Sequence, residues 1–163
     1  MTALVRHADE VPPARQLVTA ELDVLKSDSL AEQLDGHDAV ISAFSGRGYD
    51  DPRACFVKGT LSIIAAAKRS GTRLLLAGPP LSSGGGAQVL LTSLETEKTL
   101  DWTLVGTGSL RSGARTTRVR LVPDGHLFSR DEVPWISVED YAYAMVEELE
   151  RRAHPRRHAI VTY

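Results

Sequence analysis

Apolar positions fall in short blocks along this chain, and the blocks switch between a strand-like period and a helix-like one. Ala3 to Val5 forms a brief apolar run. Asp9, Glu10 and the Pro12-Pro13 pair mark a turn, and Gln16 to Leu25 returns as an extended segment toward Asp23. Ser27 to Ser29 offer cap residues, Leu30 and Leu34 are one helical turn apart, and Gly36 supplies a stop, so a helix is predicted here. Asp38 to Phe44 is an almost unbroken apolar run of strand length, which fits a strand buried on both faces of a parallel sheet. Ser45, Gly46 and Gly48 follow it as a small-residue loop.

Asp50-Asp51-Pro52 has the composition of a helix start, with carboxylates near the N-terminus and proline in the first turn. That helix is predicted to run to about Ser70 and stop at Gly71, with Val57, Leu61, Ile64 and Ala65 facing the sheet. Arg73 to Ala77 reads as the next buried parallel strand, ending in Gly78-Pro79-Pro80. Leu81 to Ala87 reads as a glycine-rich loop, Val89 to Thr99 as a helix, and Asp101 to Val105 as a strand in which Trp102 is a packing residue. Thr117, Val119 and Leu121 alternate with Arg118 and Arg120, as in the half-buried strand of a hairpin around Asp124-Gly125. Trp135 to Val138 is extended. Glu139 to Arg152 is helical behind a Ser137 cap, with Tyr141, Met145, Val146 and Leu149 on one face, and His158 to Tyr163 ends as a strand.

Strands alternating with helices specify an α/β fold with a mostly parallel sheet and flanking helices. Ligands of such sheets bind where the strands end, and here the small residues of Ser42 to Ser45 and Ala77 to Pro79 lie at two strand ends. A length of 163 residues with 42% hydrophobic content suits one domain spanning 1–163. A formal net charge of -2 gives no field selecting nucleic acid or an anionic membrane. Cys55 is the single cysteine, no apolar run reaches membrane-spanning length, and the opening residues lack a signal core; a cytoplasmic protein is expected.

The pieces Thr2 to Arg6, Asp23-Val24, Leu34 to Ala43 (LDGHDAVISA), Leu100 to Val105 (LDWTLV) and Trp135 to Ala142 (WISVEDYA), in that order, resemble the atypical short-chain dehydrogenase group of NmrA-like and putative NADH-flavin reductase proteins. The resemblance covers nearly the whole chain. It implies a Rossmann-like NAD(P)-binding sheet. It also implies that Thr2 to Arg6 corresponds to the family's second strand, so the chain is N-terminally truncated relative to the family, without the first strand and its glycine turn. Gly46-x-Gly48, Gly84 to Gly86 and Gly106-x-Gly108 do not substitute for that turn, because none continues as G-x-G-x-x-G.

Further implications of the resemblance concern the site. Arg6, at the end of the first strand, takes the place of a basic residue beside the adenosine 2′-phosphate of NADP, and a guanidinium can donate two parallel hydrogen bonds to phosphate oxygens; the other reading is a solvated strand-end arginine. Asp23 and Val24 match a pair beside the adenine, unless Asp23 caps the next helix. Ser42, Ala43, Phe44, Ser45, Gly78 and Pro79 are expected along the cofactor's path. The standard strand order implies that Ala3 to Val5 and Val40 to Phe44 either close up on each other or leave a gap that a partner chain fills, giving a homodimer.

No catalytic group is assigned. A Tyr-x-x-x-Lys pair would lower a phenol pKa, but Tyr49 precedes Arg53, Tyr141 precedes Met145, Tyr143 precedes Glu147, and Tyr163 is terminal. No metal site is expected: His154 and His158 are split by Pro155. Arg151, Arg152, Arg156 and Arg157 read as a solvated cluster complementing a helix dipole. The functional readings are an NAD(P)H-dependent oxidoreductase or isomerase acting on a small molecule, in the manner of flavin or quinone reductases, a nonenzymatic dinucleotide sensor or interaction domain, and a degenerate relative that has lost its cofactor.

Overall fold

A computed structural model of the chain describes residues 1–25, 27–78, 85–123 and 135–163. Strands β1 (Thr2–Val5) and β2 (Val18–Glu21) come first, joined by a short 3-10 turn at Ala8–Glu10. Helix α1 (Ser27–Leu34), strand β3 (Ala39–Ser42), helix α2 (Pro52–Ser70), strand β4 (Arg73–Ala77) and helix α3 (Gly85–Glu95) follow. The second half holds β5 (Trp102–Gly106), β6 (Ser109–Arg111), β7 (Arg120–Pro123), β8 (Trp135–Ser137), α4 (Val138–Arg151) and β9 (Arg157–Thr162).

The central sheet has the order β3-β4-β5-β9-β7, parallel except for the antiparallel β7 edge. Alternation along the strands divides the core into two layers. Leu74, Leu76, Trp102 and Leu104 point to one face and pack with Leu30, Leu34, Ile63, Ile64, Leu90 and Leu94 from α1, α2 and α3. Leu75 and Val105 point to the other and meet Ile136, Tyr141 and Met145 from β8 and α4. The architecture is a helix-sheet-helix α/β sandwich of the Rossmann type. Among the described residues, no helix is long and apolar enough to cross a membrane.

Local chemistry sets the helix ends. Asp51 accepts a hydrogen bond from the Ala54 amide at the start of α2, Pro52 occupies the first turn, and Gly71 terminates the helix at φ +70°. Ser137 caps α4 by accepting from the Asp140 amide.

Several sequence expectations change. Among the described residues β1 pairs only with β2, and β3 only with β4, so the two strands do not close on each other. β3 is therefore an edge of the five-stranded sheet, and Ile41 is 41% exposed where burial on both faces was expected. On α2 the buried positions are Gly59, Thr60, Ile63, Ile64, Ala66 and Ala67; Leu61 and Ala65 turn outward because α1 and β4 take the neighbouring side of the helix. Val146 is exposed on α4, one step off the face holding Tyr141 and Met145. Helix α3 begins at Gly85, inside the segment expected to be a loop. Val119 and Leu121 are half-buried and Arg118 and Arg120 exposed, as their alternation predicts, but β7 pairs with β9. The expected Asp124-Gly125 turn lies outside the described residues.

Candidate functional site: a cleft at the ends of two strands

β1 and β3 both run toward one rim of the molecule, where the segments that leave them enclose a cleft of about 380 Å³. Val5, Arg6, His7, Glu10 and Val11 form one wall, and Ala43 to Arg47 with Tyr49 form the other. The second wall is a loop that only glycine permits. Gly46 sits at φ +70°, and a Cβ there would lie 2.2 Å from the Pro52 carbonyl oxygen. Phe44 is placed by another glycine: its ring lies against Gly59 of α2, where a Cβ would approach within 2.3 Å.

Arg6 reaches across the cleft. Its guanidinium carbon is 4.6 Å from the centre of the Tyr49 ring, Nε donates to His7 Nε2 at 3.0 Å, and one terminal nitrogen donates to the Gly48 carbonyl at 3.4 Å. The Tyr49 hydroxyl donates to Asp23 Oδ1 at 3.2 Å, and its ring meets Phe44 edge-on. Asp23 also accepts from the Leu25 amide at 3.0 Å. It thus forms a turn ahead of α1 and orients the tyrosine, so it is neither a helix cap nor part of the cleft wall.

Of the residues expected along the cofactor's path, the structure brings together Arg6, Ala43, Phe44 and Ser45. Asp23 stands behind Tyr49, and Val24 packs against the core cluster beneath. Ser42 turns its hydroxyl to the Phe44 amide at 3.4 Å. Gly78 is not in the cleft wall: its amide donates to Val105 O at 2.7 Å, and a Cβ would lie 3.2 Å from Gly106 Cα. Pro79 and His126 lie outside the described residues. His7, Glu10, Arg47 and Tyr49 were not anticipated. In the sequence Tyr49 reads only as a phenol that fails the Tyr-x-x-x-Lys spacing; the signal for its place here is an aromatic residue in a glycine loop that follows a strand.

The cleft offers an anion two arginines and a histidine against one carboxylate, and offers a flat ring beside them. That donor set suits a ligand carrying a phosphate or another anionic group beside a flat ring. Other polar groups serve the scaffold. Tyr141 donates to Val105 O at 2.6 Å, and burial drives its phenol well above the ordinary tyrosine range. Glu147, accepting the Tyr143 hydroxyl, raises the pKa of that phenol. Within the basic cluster, Arg151 pairs with Glu147, Arg152 with Asp101, and Arg156 with the Lys98 carbonyl. His154 is bound to Glu148 at 2.8 Å.

A family profile described as NAD(P)H-binding matches residues 1–79, the part of the chain that holds every wall of the cleft. Among solved structures, a putative epimerase from Bacteroides thetaiotaomicron is 32% identical, with a TM-score of 0.83 over 99% of this chain and 84% of that one. A putative NADH-flavin reductase from Streptococcus pneumoniae shares 23% identity and a TM-score of 0.80, covering 98% of this chain and 85% of that one. A short-chain dehydrogenase/reductase from Veillonella parvula, solved in complex with NADP, shares 17% identity and a TM-score of 0.74, covering 99% of this chain and 82% of its own. The last two likenesses speak to the fold. A search of curated protein sequences returned no match.

Proposed function

Because the chain belongs to the NAD(P)H-binding family of Rossmann-like proteins, we propose that it binds NADP in the cleft between the ends of β1 and β3 and acts as an NAD(P)H-dependent oxidoreductase of the flavin- or quinone-reductase kind. One observation carries the choice of NADP: Arg6 is stacked on Tyr49 and lines the cleft wall. In this reading Arg6 binds the 2′-phosphate, Tyr49 holds the guanidinium flat, and Ala43, Phe44 and Ser45 lie along the dinucleotide, with Gly78 and Pro79 further along the strand ends. The cofactor supplies hydride chemistry, and the chain's own residues bind and orient it.

A second reading, a nonenzymatic dinucleotide sensor, draws support from the residues around Tyr49. Its hydroxyl is committed to Asp23, and the fourth residue after it is Arg53 where a Tyr-x-x-x-Lys pair would need lysine. Both readings place the protein in the cytoplasm, where its lone Cys55 stays reduced. Titration of NADPH fluorescence separates cofactor binding from its absence, and turnover with flavin or quinone acceptors separates the two readings. Submicromolar NADPH binding that is unchanged in Arg6→Ala would refute the assignment of the cleft.

A further inference from the structure

Trp135 opens β8, yet its side chain takes no part in either core layer. Its neighbour Ile136 is buried against α4 and Ser137 caps that helix, whereas the Trp135 side chain is 46% exposed. A single exposed apolar residue is ordinary. What sets this one apart is how firmly it is held and what stands beside it. Its backbone pairs with Ser109 in the two-stranded β6-β8 sheet. Its ring meets Tyr163 edge-on, with centroids 5.7 Å apart and an interplanar angle of 74°. The Tyr163 hydroxyl in turn accepts from the Ser137 amide at 3.1 Å and donates to the Asp140 carboxylate, so the brace is fixed to the start of α4.

Arg111, at the end of β6, completes the corner. Its guanidinium carbon lies 5.7 Å from the centre of the Trp135 ring, near the outer limit of a cation-π contact and too far for the two groups to stack. Among the described residues no carboxylate pairs with Arg111, and neither its guanidinium nor the Trp135 indole N–H donates a hydrogen bond. Arg151 and Arg152, by contrast, are matched by Glu147 and Asp101. A flat exposed ring that is rigid before any ligand arrives, with unspent cationic donors beside it, needs little further ordering on binding. A planar ring stacked on Trp135 covers apolar surface, and an anionic substituent on it meets Arg111, whose planar fork suits a phosphate or a carboxylate.

The corner also has a definite place in the fold. β3, β4, β5 and β9 are parallel, so their C-terminal ends share one rim. β6 follows the end of β5 through Thr107 and Gly108, and Tyr163 follows the end of β9, so the corner stands on the rim that carries the cleft. Three strand spacings, roughly 14 Å, separate β3 from β9, and the two sites are distinct. We propose that Trp135, Tyr163 and Arg111 form a second binding site, for a planar aromatic ring that carries an anionic group, of the phosphorylated flavin kind. That such a ligand accepts hydride from a cofactor in the cleft rests on the function proposed above; that it binds does not.

Binding is measured by equilibrium dialysis of the whole 163-residue chain against flavin mononucleotide and against riboflavin, which has the same ring and no phosphate, with no nicotinamide nucleotide present. The mononucleotide is expected to bind more tightly than riboflavin by about tenfold, the effect of one charge-assisted pair. Arg111→Gln removes that difference and leaves riboflavin binding unchanged. Trp135→Ala weakens both by about tenfold, the usual scale of a lost stack on an aromatic side chain, and Trp135→Tyr, which keeps a flat ring, restores most of the loss. Arg6→Ala leaves both flavin affinities as they were. Failure of the chain to bind NADPH refutes the assignment of the cleft and leaves these results standing. No flavin binding, a phosphate preference that survives Arg111→Gln, or affinity indifferent to Trp135→Ala overturns the proposal. So does flavin mononucleotide binding that is lost in Arg6→Ala, because the ligand then sits in the cleft.

Discussion

The guanidinium of Arg6 lies 4.6 Å from the centre of the Tyr49 ring, and the Tyr49 hydroxyl is in turn held by Asp23. A strand end, a glycine loop and the turn before α1 are joined by this chain of contacts, which holds the cleft's main cation in place. Arg6→Ala is expected to weaken NADPH binding by about tenfold to a hundredfold, the range for losing a hydrogen-bonded charge on an anion. NADH, which lacks the 2′-phosphate, should bind both proteins alike. Paired titrations test this, and an equal loss for both nucleotides would remove Arg6 from the phosphate.

The loop opposite Arg6 depends on Gly46. At φ +70°, with the Pro52 carbonyl 2.2 Å from where a Cβ would sit, Gly46→Ala must both adopt a left-handed backbone and displace the start of α2. The left-handed conformation alone costs about 1–3 kcal/mol. Urea unfolding should show a loss of at least that size. Gly36→Ala has the same sign of φ but open space around its Cβ, so it should lose only the conformational part.

Much of this was legible in the sequence, because periodicity and caps are local signals. Asp51-Pro52 and Gly71 marked the ends of α2, Ser137 marked the start of α4, and the apolar block at Arg73 to Ala77 is the buried β4. What failed depended on neighbours. The run from Asp38 to Phe44 looks doubly buried, yet among the described residues β3 has a strand on only one side, and Ile41 is open. Leu61 fits the apolar stripe of α2 and still faces out, because the positions of α1 and β4 select the buried face. In the cleft, Arg6 and Ala43 to Ser45 could be placed from strand ends alone, whereas Tyr49 and its link to Asp23 depend on how a glycine loop folds back.

Asp140 supplies a pH dependence. It is buried, and burial alone would raise its pKa; hydrogen bonds from the Thr116 hydroxyl and the Thr117 and Thr116 amides, with a further one from Tyr163, outweigh that and lower it from 3.8 to about 2. A carboxylate with a depressed folded pKa stabilises the fold at pH values above its unfolded pKa. That stabilisation is expected to disappear as pH falls from about 4 toward 2. Asp140→Asn should lower stability at neutral pH and flatten this part of the profile. Denaturant midpoints measured across the window test it, and an unchanged slope would reject the assignment.

Glu148 holds the opposite end of α4. Its side chain is 1% exposed and takes Arg73 at 3.1 Å, the His154 amide at 3.0 Å and the His154 ring at 2.8 Å. Arg73 is itself buried under α4 and also donates to the Glu148 and Leu149 carbonyls. Glu148→Ala takes away the nearer of two carboxylates on the guanidinium, leaving Asp101 Oδ2 at 3.6 Å from Nε; breaking a buried pair costs about 3–5 kcal/mol, and the remaining contact holds the loss to the lower part of that range. A change below about 1 kcal/mol, the value typical of exposed pairs, would mean that solvent reaches Arg73 readily.

Hydride transfer needs the nicotinamide held in place, since misplacement by about an angstrom can cost on the order of a hundredfold in rate. In the proposed reading the cleft takes the phosphorylated adenosine end, but the 163 residues contain no G-x-G-x-x-G turn to hold a pyrophosphate and no Tyr-x-x-x-Lys pair to donate a proton. Proton delivery would then fall to water or to a flavin acceptor. The 163-residue chain is therefore expected to bind NADPH weakly and to oxidise it slowly with flavin or quinone acceptors. Fusing a family-type first strand and glycine turn ahead of Met1 should raise both affinity and rate, because the turn would add backbone amides that bind a pyrophosphate. Stopped-flow oxidation of NADPH by the two proteins compares them directly. Fast turnover by the chain alone, with no gain from the fusion, would mean that the cofactor is held by a site other than this cleft.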